Sequence, residues 1–111
     1  TRHMFDAEAF SQVKPGVILV NTSRGGLVDT TALTAALREG RVGWAALDVH
    51  EEEPVPPDYP LLEMERVVLS DHRGFYSYES QTELQQKAAR YAARVLAGEM
   101  PESVVNRGAL A

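Results

Sequence analysis

The 111-residue chain contains no cysteine, and its acidic residues outnumber its basic ones. Without cysteine there is no disulfide framework, no thiol chemistry and no cysteine-based metal site, which suits a reducing compartment such as the cytoplasm. No apolar stretch approaches the ~20 residues of a membrane span, and no apolar signal-peptide segment follows Thr1. The formal charge of −5 argues against nucleic acid as a partner.

A glycine-rich turn of the form G-x-G-x-x-G, which seats a dinucleotide pyrophosphate at a helix N-terminus, is also missing. The close glycines Gly25 and Gly26 follow an apolar run without that spacing. With 44% apolar residues the chain can still form the packed core of one modest domain. Because a buried strand is predicted almost at once after Thr1, we expect the chain to be a fragment of a larger domain.

Three short apolar runs are present, at 17–20, 45–47 and 67–69. They do not alternate with polar residues, which is typical of strands buried on both faces of a parallel sheet. Polar side chains follow each run: Arg24 the first, Asp48 and the glutamates at 51–53 the second, and His72 the third. Because ligands bind beyond the carboxyl ends of parallel strands, we expect the functional site at this edge.

Helices are predicted between and after these strands. The predicted helices cover residues 6–12, 30–39 and 77–97, and the predicted strands cover residues 17–21, 43–49 and 67–70. Residues 50–60 are predicted to form a proline-rich acidic loop, and residues 61–64 could add one helical turn. Gly40 and Gly98 are placed to end the second and third helices. The long last helix carries an apolar face made of Leu84, Ala88, Tyr91, Ala92, Val95 and Leu96. A strand, a helix and a second strand in this order form a right-handed crossover, so the fold class is α/β.

Three stretches of the chain resemble the signatures of a known enzyme family. Val20–Asp29 resembles the arginine signature of the D-isomer-specific 2-hydroxyacid dehydrogenases, Ala45–Val49 followed by Glu53 resembles the glutamate signature, and Val68–His72 resembles the histidine signature. The resemblance runs from Thr1 to about residue 106. It implies the C-terminal half of a Rossmann-type, doubly wound parallel sheet, with a long C-terminal helix leading to an absent substrate domain. Residues 107–111 would form a tail.

The resemblance implies three catalytic residues. His72 would donate a proton to the substrate, a role that suits imidazole because its charge changes near neutral pH. Glu53 would hold the ring and favour the imidazolium. Arg24 would grip the carboxylate of a small 2-keto or 2-hydroxy acid with its planar guanidinium.

The resemblance also implies NAD or NADP as the cofactor. Its binding residues would be Thr22, Ser23, Arg24, Asp48, His72 and Gly74, with Asp48 accepting a hydrogen bond from the nicotinamide carboxamide. No metal site is expected. The intact protein would be a homodimeric dehydrogenase, whereas the fragment alone would be inactive. His3 and His50 belong to no partner pattern and are expected to be structural or exposed.

Several residues depart from the family pattern and leave alternatives open. Asp71 stands where many members have proline, and His50 stands where an aromatic residue is common. The run from His72 to Ser77 is more similar to the branch that includes the C-terminal-binding proteins. A dinucleotide-sensing interaction protein and an inactive truncated domain are therefore the alternative functions. Apart from the resemblance, Arg24 and Glu53 could be ordinary surface charges, His72 a hydrogen-bonded buried histidine, and Asp48 a helix or loop cap.

Overall fold

A computed structural model of the protein describes residues 1–106 and 108. The elements in chain order are α1 (Ala7–Gln12), β1 (Val17–Asn21), a 3-10 turn (Gly25–Leu27), α2 (Thr30–Arg38), β2 (Val42–Leu47), β3 (Val67–Leu69) and α3 (Tyr78–Leu96). The chain divides into two compact units, one of residues 1–74 and one from residue 75 onward. The predicted domain boundary at 106 stays a prediction, and the predicted tail lies, Gly108 apart, outside the described residues.

The three strands form one parallel sheet in the order β1-β2-β3. Asn21 pairs with Leu47, and Leu47 pairs with Leu69, so the carboxyl ends of all three strands lie level. The parallel arrangement and the pairing of the first strand with the second are as predicted, and the predicted α/β class is confirmed. Every residue that follows a strand end therefore emerges at the same edge of the sheet.

The helices of the first unit stack in layers on the sheet. α2 packs on β2, and α1 packs on α2. Asp29 starts α2 by accepting a hydrogen bond from the Ala32 amide at 3.0 Å, which satisfies one of the free amides of the first turn. Gly40, at φ 73°, ends the helix in the left-handed region that glycine adopts without steric cost. The core consists of Phe10, Val28, Ala32, Leu33, Ala36, Leu37, Val42, Ala45, Leu47, Tyr59 and Leu61.

The opposite face of the sheet is uncovered in this chain. Alternate side chains of the strands are exposed, and Ile18 remains 65% accessible. The exposed apolar residues on the strands are Ile18, Val20, Trp44 and Val68. Strand side chains alternate between the two faces, and in the first unit α1 and α2 supply the layer that buries the core-facing set. Burial of both faces, which the apolar runs predict for the intact sheet, stays a prediction for the face that this chain leaves uncovered.

Several boundaries differ from the prediction by one or two residues. β2 ends at Leu47 rather than near residue 49, although the Asp48 amide still bonds the Asn21 carbonyl at 3.0 Å. The segment 61–64 forms hydrogen-bonded turns rather than a helical turn.

The second unit consists mainly of α3. Ser77 caps it, with its side-chain oxygen accepting from the Ser80 amide at 3.0 Å, and Gly98 follows its last turn at φ 78°. No residue of α3 is buried, and its predicted apolar face is exposed except at Tyr91, which is half-buried. Among residues 1–106 and 108, no helix combines the length and apolar character needed to cross a membrane.

Candidate active site

Glu53 and His72 meet at the carboxyl edge of the sheet. Nδ1 of His72 lies 2.8 Å from Oε2 of Glu53, within hydrogen-bond distance. Both side chains are partly exposed, at 40% for His72 and 36% for Glu53, so the pair borders solvent. A carboxylate can only accept, so His72 carries a proton on Nδ1 when it makes this bond. The predicted contact between these two residues is present, whereas their catalytic roles stay a prediction.

The backbone of the acidic loop orients Glu53. The amide of His50 donates to Oε1 at 2.8 Å, so both carboxylate oxygens are engaged. The His72 ring and the His50 amide together lower the pKa of Glu53 below its ordinary value. The carboxylate is therefore ionised at neutral pH and faces the imidazole as an anion.

A cleft of about 310 Å³ adjoins the pair. Its lining residues are His50, Glu53, Pro54, Val55, Asp71 and His72. The lining combines the apolar side chains of Pro54 and Val55 with the titratable pair. A small molecule in this cleft would contact both apolar surface and an imidazole.

Asp48 holds the loop that carries His72 in place through hydrogen bonds. Its Oδ1 accepts from the Ser70 hydroxyl at 2.6 Å and the Arg73 amide at 2.9 Å, and its Oδ2 accepts from the Gly74 amide at 2.7 Å. These three donors, led by the Ser70 hydroxyl, lower the pKa of Asp48. The His72 amide also donates to the Asp48 carbonyl at 2.8 Å. Asp48 therefore determines the course of residues 70–74.

Gly74 lies where a side chain would not fit. A Cβ atom at this position would stand 2.9 Å from Oδ2 of Asp48 and 4.0 Å from Cβ of Thr22. Thr22, Asp48 and Gly74, each predicted to bind the cofactor, are thus brought together from three strand ends. The missing side chain leaves backbone exposed at this point of the edge.

Arg24 is the predicted catalytic residue that lies apart from the pair. Its guanidinium is exposed, donates from Nη1 to the Ser23 carbonyl at 2.7 Å, and does not line the cleft beside His72. Asn21 shapes the turn that presents Arg24. Its side chain accepts from the Ser23 amide at 3.1 Å and donates to the Arg24 carbonyl at 3.0 Å.

Gly25 packs this turn against the loop that carries Glu53. A Cβ atom on Gly25 would lie 1.9 Å from both the carbonyl carbon and the oxygen of His50. Only glycine permits so close an approach of two backbones. The arginine turn and the glutamate loop are therefore neighbours, although the Arg24 side chain is directed elsewhere.

The three consecutive glutamates have different partners. Glu51 accepts from the Thr30 amide at 2.8 Å and contacts Nε2 of His3 at 2.6 Å, which ties it to the start of α2. Burial alone would raise the pKa of Glu51, but the Thr30 amide and His3 lower it overall. Glu52 is exposed. Glu53 is therefore the glutamate of this run that the fold directs to His72.

Sequence reasoning missed Asn21 and His50 as site-building residues. An asparagine at the end of a strand and before a polar turn is a recognised signal for a side-chain-stabilised turn. His50 was expected to be structural or exposed, and it is buried with its Nε2 2.9 Å from the Ser70 carbonyl. No local pattern marks that contact, since the two residues are 20 positions apart.

Comparison with known proteins extends these findings. Residues 1–74 match the family described as the D-isomer specific 2-hydroxyacid dehydrogenase NAD binding domain. The chain is 43% identical over 110 residues to a glyoxylate reductase of Thermofilum pendens, covering 99% of this chain and 32% of that protein. The chain thus spans about a third of the length of the curated relatives it matches.

Solved structures agree with the sequence match. A glyoxylate reductase from Paecilomyes thermophila superposes with a TM-score of 0.87 at 34% identity, over 96% of this chain and 32% of that one. A D-isomer specific 2-hydroxyacid dehydrogenase from Xanthobacter autotrophicus, solved with NADPH and MES, gives 0.82 at 33% identity, over 96% and 43%. Because the family match covers residues 1–74 and the fold agrees, the chain belongs to the D-isomer specific 2-hydroxyacid dehydrogenase family.

Proposed function

We propose that this chain is part of an NAD(P)-dependent D-2-hydroxyacid dehydrogenase and carries the residues that transfer the proton. The reaction moves a hydride between the nicotinamide and the C2 carbon of a small 2-keto or 2-hydroxy acid. The observation that carries the proposal is the 2.8 Å contact of His72 with Glu53 at the carboxyl end of β3. An imidazole held by an ionised carboxylate is suited to general acid–base catalysis near neutral pH.

His72 exchanges the proton. Its Nδ1–H is held by Glu53, so the proton that reaches the substrate is carried on Nε2 of the imidazolium. In reduction, Nε2 gives this proton to the carbonyl oxygen as C2 receives the hydride, and the ring becomes neutral. In oxidation, neutral Nε2 takes the hydroxyl proton as the hydride leaves C2. Glu53 remains ionised and stabilises the imidazolium in both directions.

Arg24 binds the substrate carboxylate in this proposal. A guanidinium presents two parallel N–H groups to a carboxylate and stays charged at every relevant pH. Arg24 is exposed on a turn packed, through Gly25, against the loop of Glu53. Its bond to the Ser23 carbonyl uses one N–H of Nη1, and a guanidinium has five N–H donors, so others are available for the carboxylate.

The cofactor of the proposed enzyme is NAD or NADP, in agreement with the family. When bound, the nicotinamide supplies or accepts the hydride. The absence of a side chain at Gly74 lets its amide approach Asp48, since a Cβ there would crowd that carboxylate. Asp48 retains acceptor capacity, since one donor occupies its Oδ2, and a carboxylate oxygen can accept two hydrogen bonds. Thr22, Ser23, Asp48 and Gly74 would hold the nicotinamide end, with Arg24 and His72 beside it.

The cellular location and the oligomeric state of the intact protein belong to the same proposal. We assign it to the cytoplasm, which the absence of cysteine suits. We also expect a homodimer, on the resemblance to the family. Light scattering of the purified protein and fractionation of the source cells test these two assignments.

Turnover of a panel of 2-keto acids, including glyoxylate, by the intact protein tests the function. We expect reduction with NADH or NADPH, and a loss of about 10²–10⁴-fold in kcat for His72→Ala, the usual worth of a general acid. His3→Ala is the matched control, since His3 contacts Glu51 rather than Glu53. Intact turnover in His72→Ala would contradict the assignment.

The dinucleotide-sensing alternative predicts a different outcome of the same experiment. The panel would then give no turnover in the wild-type protein, while NADH would alter a contact with another protein. The sequence feature that favours this alternative is the run from His72 to Ser77. A dinucleotide-dependent interaction that survives without any keto-acid reduction would replace the enzyme proposal.

A further inference from the structure

His50 is a buried polar residue for which the proposed reaction has no use. It is 6% exposed, and its ring packs edge-on against Tyr59 with centroids 5.6 Å apart. Its Nε2 lies 2.9 Å from the Ser70 carbonyl, which can only accept, so Nε2 carries the ring proton. A histidine so placed forms one directed hydrogen bond between the loop after β2 and the segment after β3.

The other ring nitrogen of His50 makes this bond informative. Within residues 1–106 and 108, Nδ1 is buried and has no hydrogen-bond partner. Burying an unpaired polar atom is unfavourable, and an apolar ring at this position would avoid the cost. The bond from Nε2 to Ser70 is therefore the interaction that distinguishes histidine from an apolar aromatic residue here.

The residues joined by His50 lead directly to the proposed catalytic pair. The His50 amide donates to Oε1 of Glu53 at 2.8 Å, so the residue that orients Glu53 is also the one that bonds Ser70. Ser70 stands two residues before His72, and its hydroxyl is held by Asp48 at 2.6 Å. The ring of His50 thus connects the support of Glu53 to the support of His72.

We propose that His50 is a positioning residue, whose Nε2–H to Ser70 bond holds the glutamate loop and the histidine loop at the separation that the Glu53–His72 hydrogen bond needs. This inference rests on the proposed function for its catalytic meaning. In this proposal His50 acts through the geometry of the Glu53–His72 pair.

Nitrogen-15 NMR of the His72 ring in the whole chain tests the proposal without any turnover measurement. At a pH where the ring is neutral, the bond to Glu53 requires the proton on Nδ1, whereas an unheld histidine favours the Nε2–H form. The wild-type chain should give the Nδ1–H signature. His50→Phe keeps an aromatic ring against Tyr59 but removes the donor, and it should shift His72 toward the Nε2–H form. In parallel, the pKa of Glu53, read from its carboxyl carbon, should rise toward its ordinary value.

Two further variants make the test specific. Glutamine at position 50 can place an N–H where Nε2 stands, so His50→Gln should retain the Nδ1–H signature. Asparagine is one carbon shorter and cannot, so His50→Asn should lose the signature. His3→Ala removes the contact to Glu51 in the same acidic run and should leave His72 unchanged.

The outcomes decide the proposal in either direction. A folded His50→Phe chain with the wild-type signature overturns it. Loss of the signature in His3→Ala also overturns it, because it would indicate general loosening of the acidic loop. If His50→Phe does not fold, the pair of Gln and Asn variants decides: retention in Gln and loss in Asn supports the proposal, and equal behaviour overturns it. Because these readouts need no substrate, a failed turnover assay would refute the dehydrogenase function while leaving the positioning test intact.

Discussion

Nδ1 of His72 lies 2.8 Å from Oε2 of Glu53, and the second oxygen of Glu53 accepts the His50 amide at the same distance. This arrangement leaves the carboxylate little freedom to rotate and aligns it with the imidazole. The consequence is a ring whose Nδ1 is committed to Glu53. Proton exchange with a substrate is therefore assigned to Nε2.

Glu53→Gln should lower kcat for keto-acid reduction by about 10- to 100-fold, the usual worth of a hydrogen bond to a charged group. The uncharged amide cannot stabilise the imidazolium as a carboxylate does. The His72 ring and the His50 amide lower the pKa of Glu53, so its carboxylate is ionised throughout the neutral range. The difference between wild type and variant should therefore be constant near neutral pH and shrink as the pH falls through the lowered pKa of Glu53. The exposed neighbour provides the control, since Glu52→Gln should leave kcat unchanged.

Arg24→Lys should weaken keto-acid binding far more than dinucleotide binding. A lysine keeps the charge but cannot form the two parallel bonds of a guanidinium. Losing one charge-assisted bond costs about 1.5–3 kcal/mol, or about 10- to 100-fold in KM. Steady-state kinetics and dinucleotide titration measure the two effects separately. Equal losses of both affinities would contradict a role at the substrate carboxylate.

Gly25→Ala should destabilise the first unit by about 1–3 kcal/mol or more, the usual range for overpacking. The new methyl group would lie 1.9 Å from the His50 backbone, which cannot move without displacing Glu53. Gly26→Ala is the matched control, because a Cβ there meets no atom within 4 Å. Denaturant unfolding of the two variants compares them directly. Equal stability would show that the arginine turn and the glutamate loop are not in contact.

Asp48→Asn should loosen the loop of residues 70–74 at neutral pH but have less effect in acid. The pKa of Asp48 is held below its ordinary value of 3.8 by Ser70 and the amides of Gly74 and Arg73. Its stabilising contribution is therefore fully present above that ordinary value and is lost as the pH falls through the lowered one. The difference in unfolding free energy between wild type and variant should shrink over this acidic range. Asp71→Asn, at an exposed carboxylate paired with Arg73, serves as the control.

Much of the fold could be predicted because its signals are local. Apolar runs, capping residues such as Asp29 and the closing glycines Gly40 and Gly98 act within a few positions of the elements they define. They indicated three parallel strands and three helices in the observed order. The same local signals do not say what covers each face of the sheet, since a side chain such as Ile18 is apolar whether or not a neighbour covers it in this chain.

The candidate site shows where sequence reasoning ends. The sequence by itself determined the strand ends and the residue types that follow them, which was enough to place Arg24, Asp48 and His72 at one edge. Among three adjacent glutamates, the choice of Glu53 rested on resemblance. Tertiary structure supplies the physical reason, because Thr30 engages Glu51 and His72 engages Glu53.

Tertiary structure alone also decided how the loops are joined. The bonds of Asp48 to Gly74 and of Glu53 to His72 link positions 26 and 19 apart. Such contacts form only when separate strands bring their ends level, so no local propensity encodes them. The sequence determines which groups are present and in what order they leave the sheet. The packing of strand ends and loops decides which of these groups touch, as with His50 and Ser70.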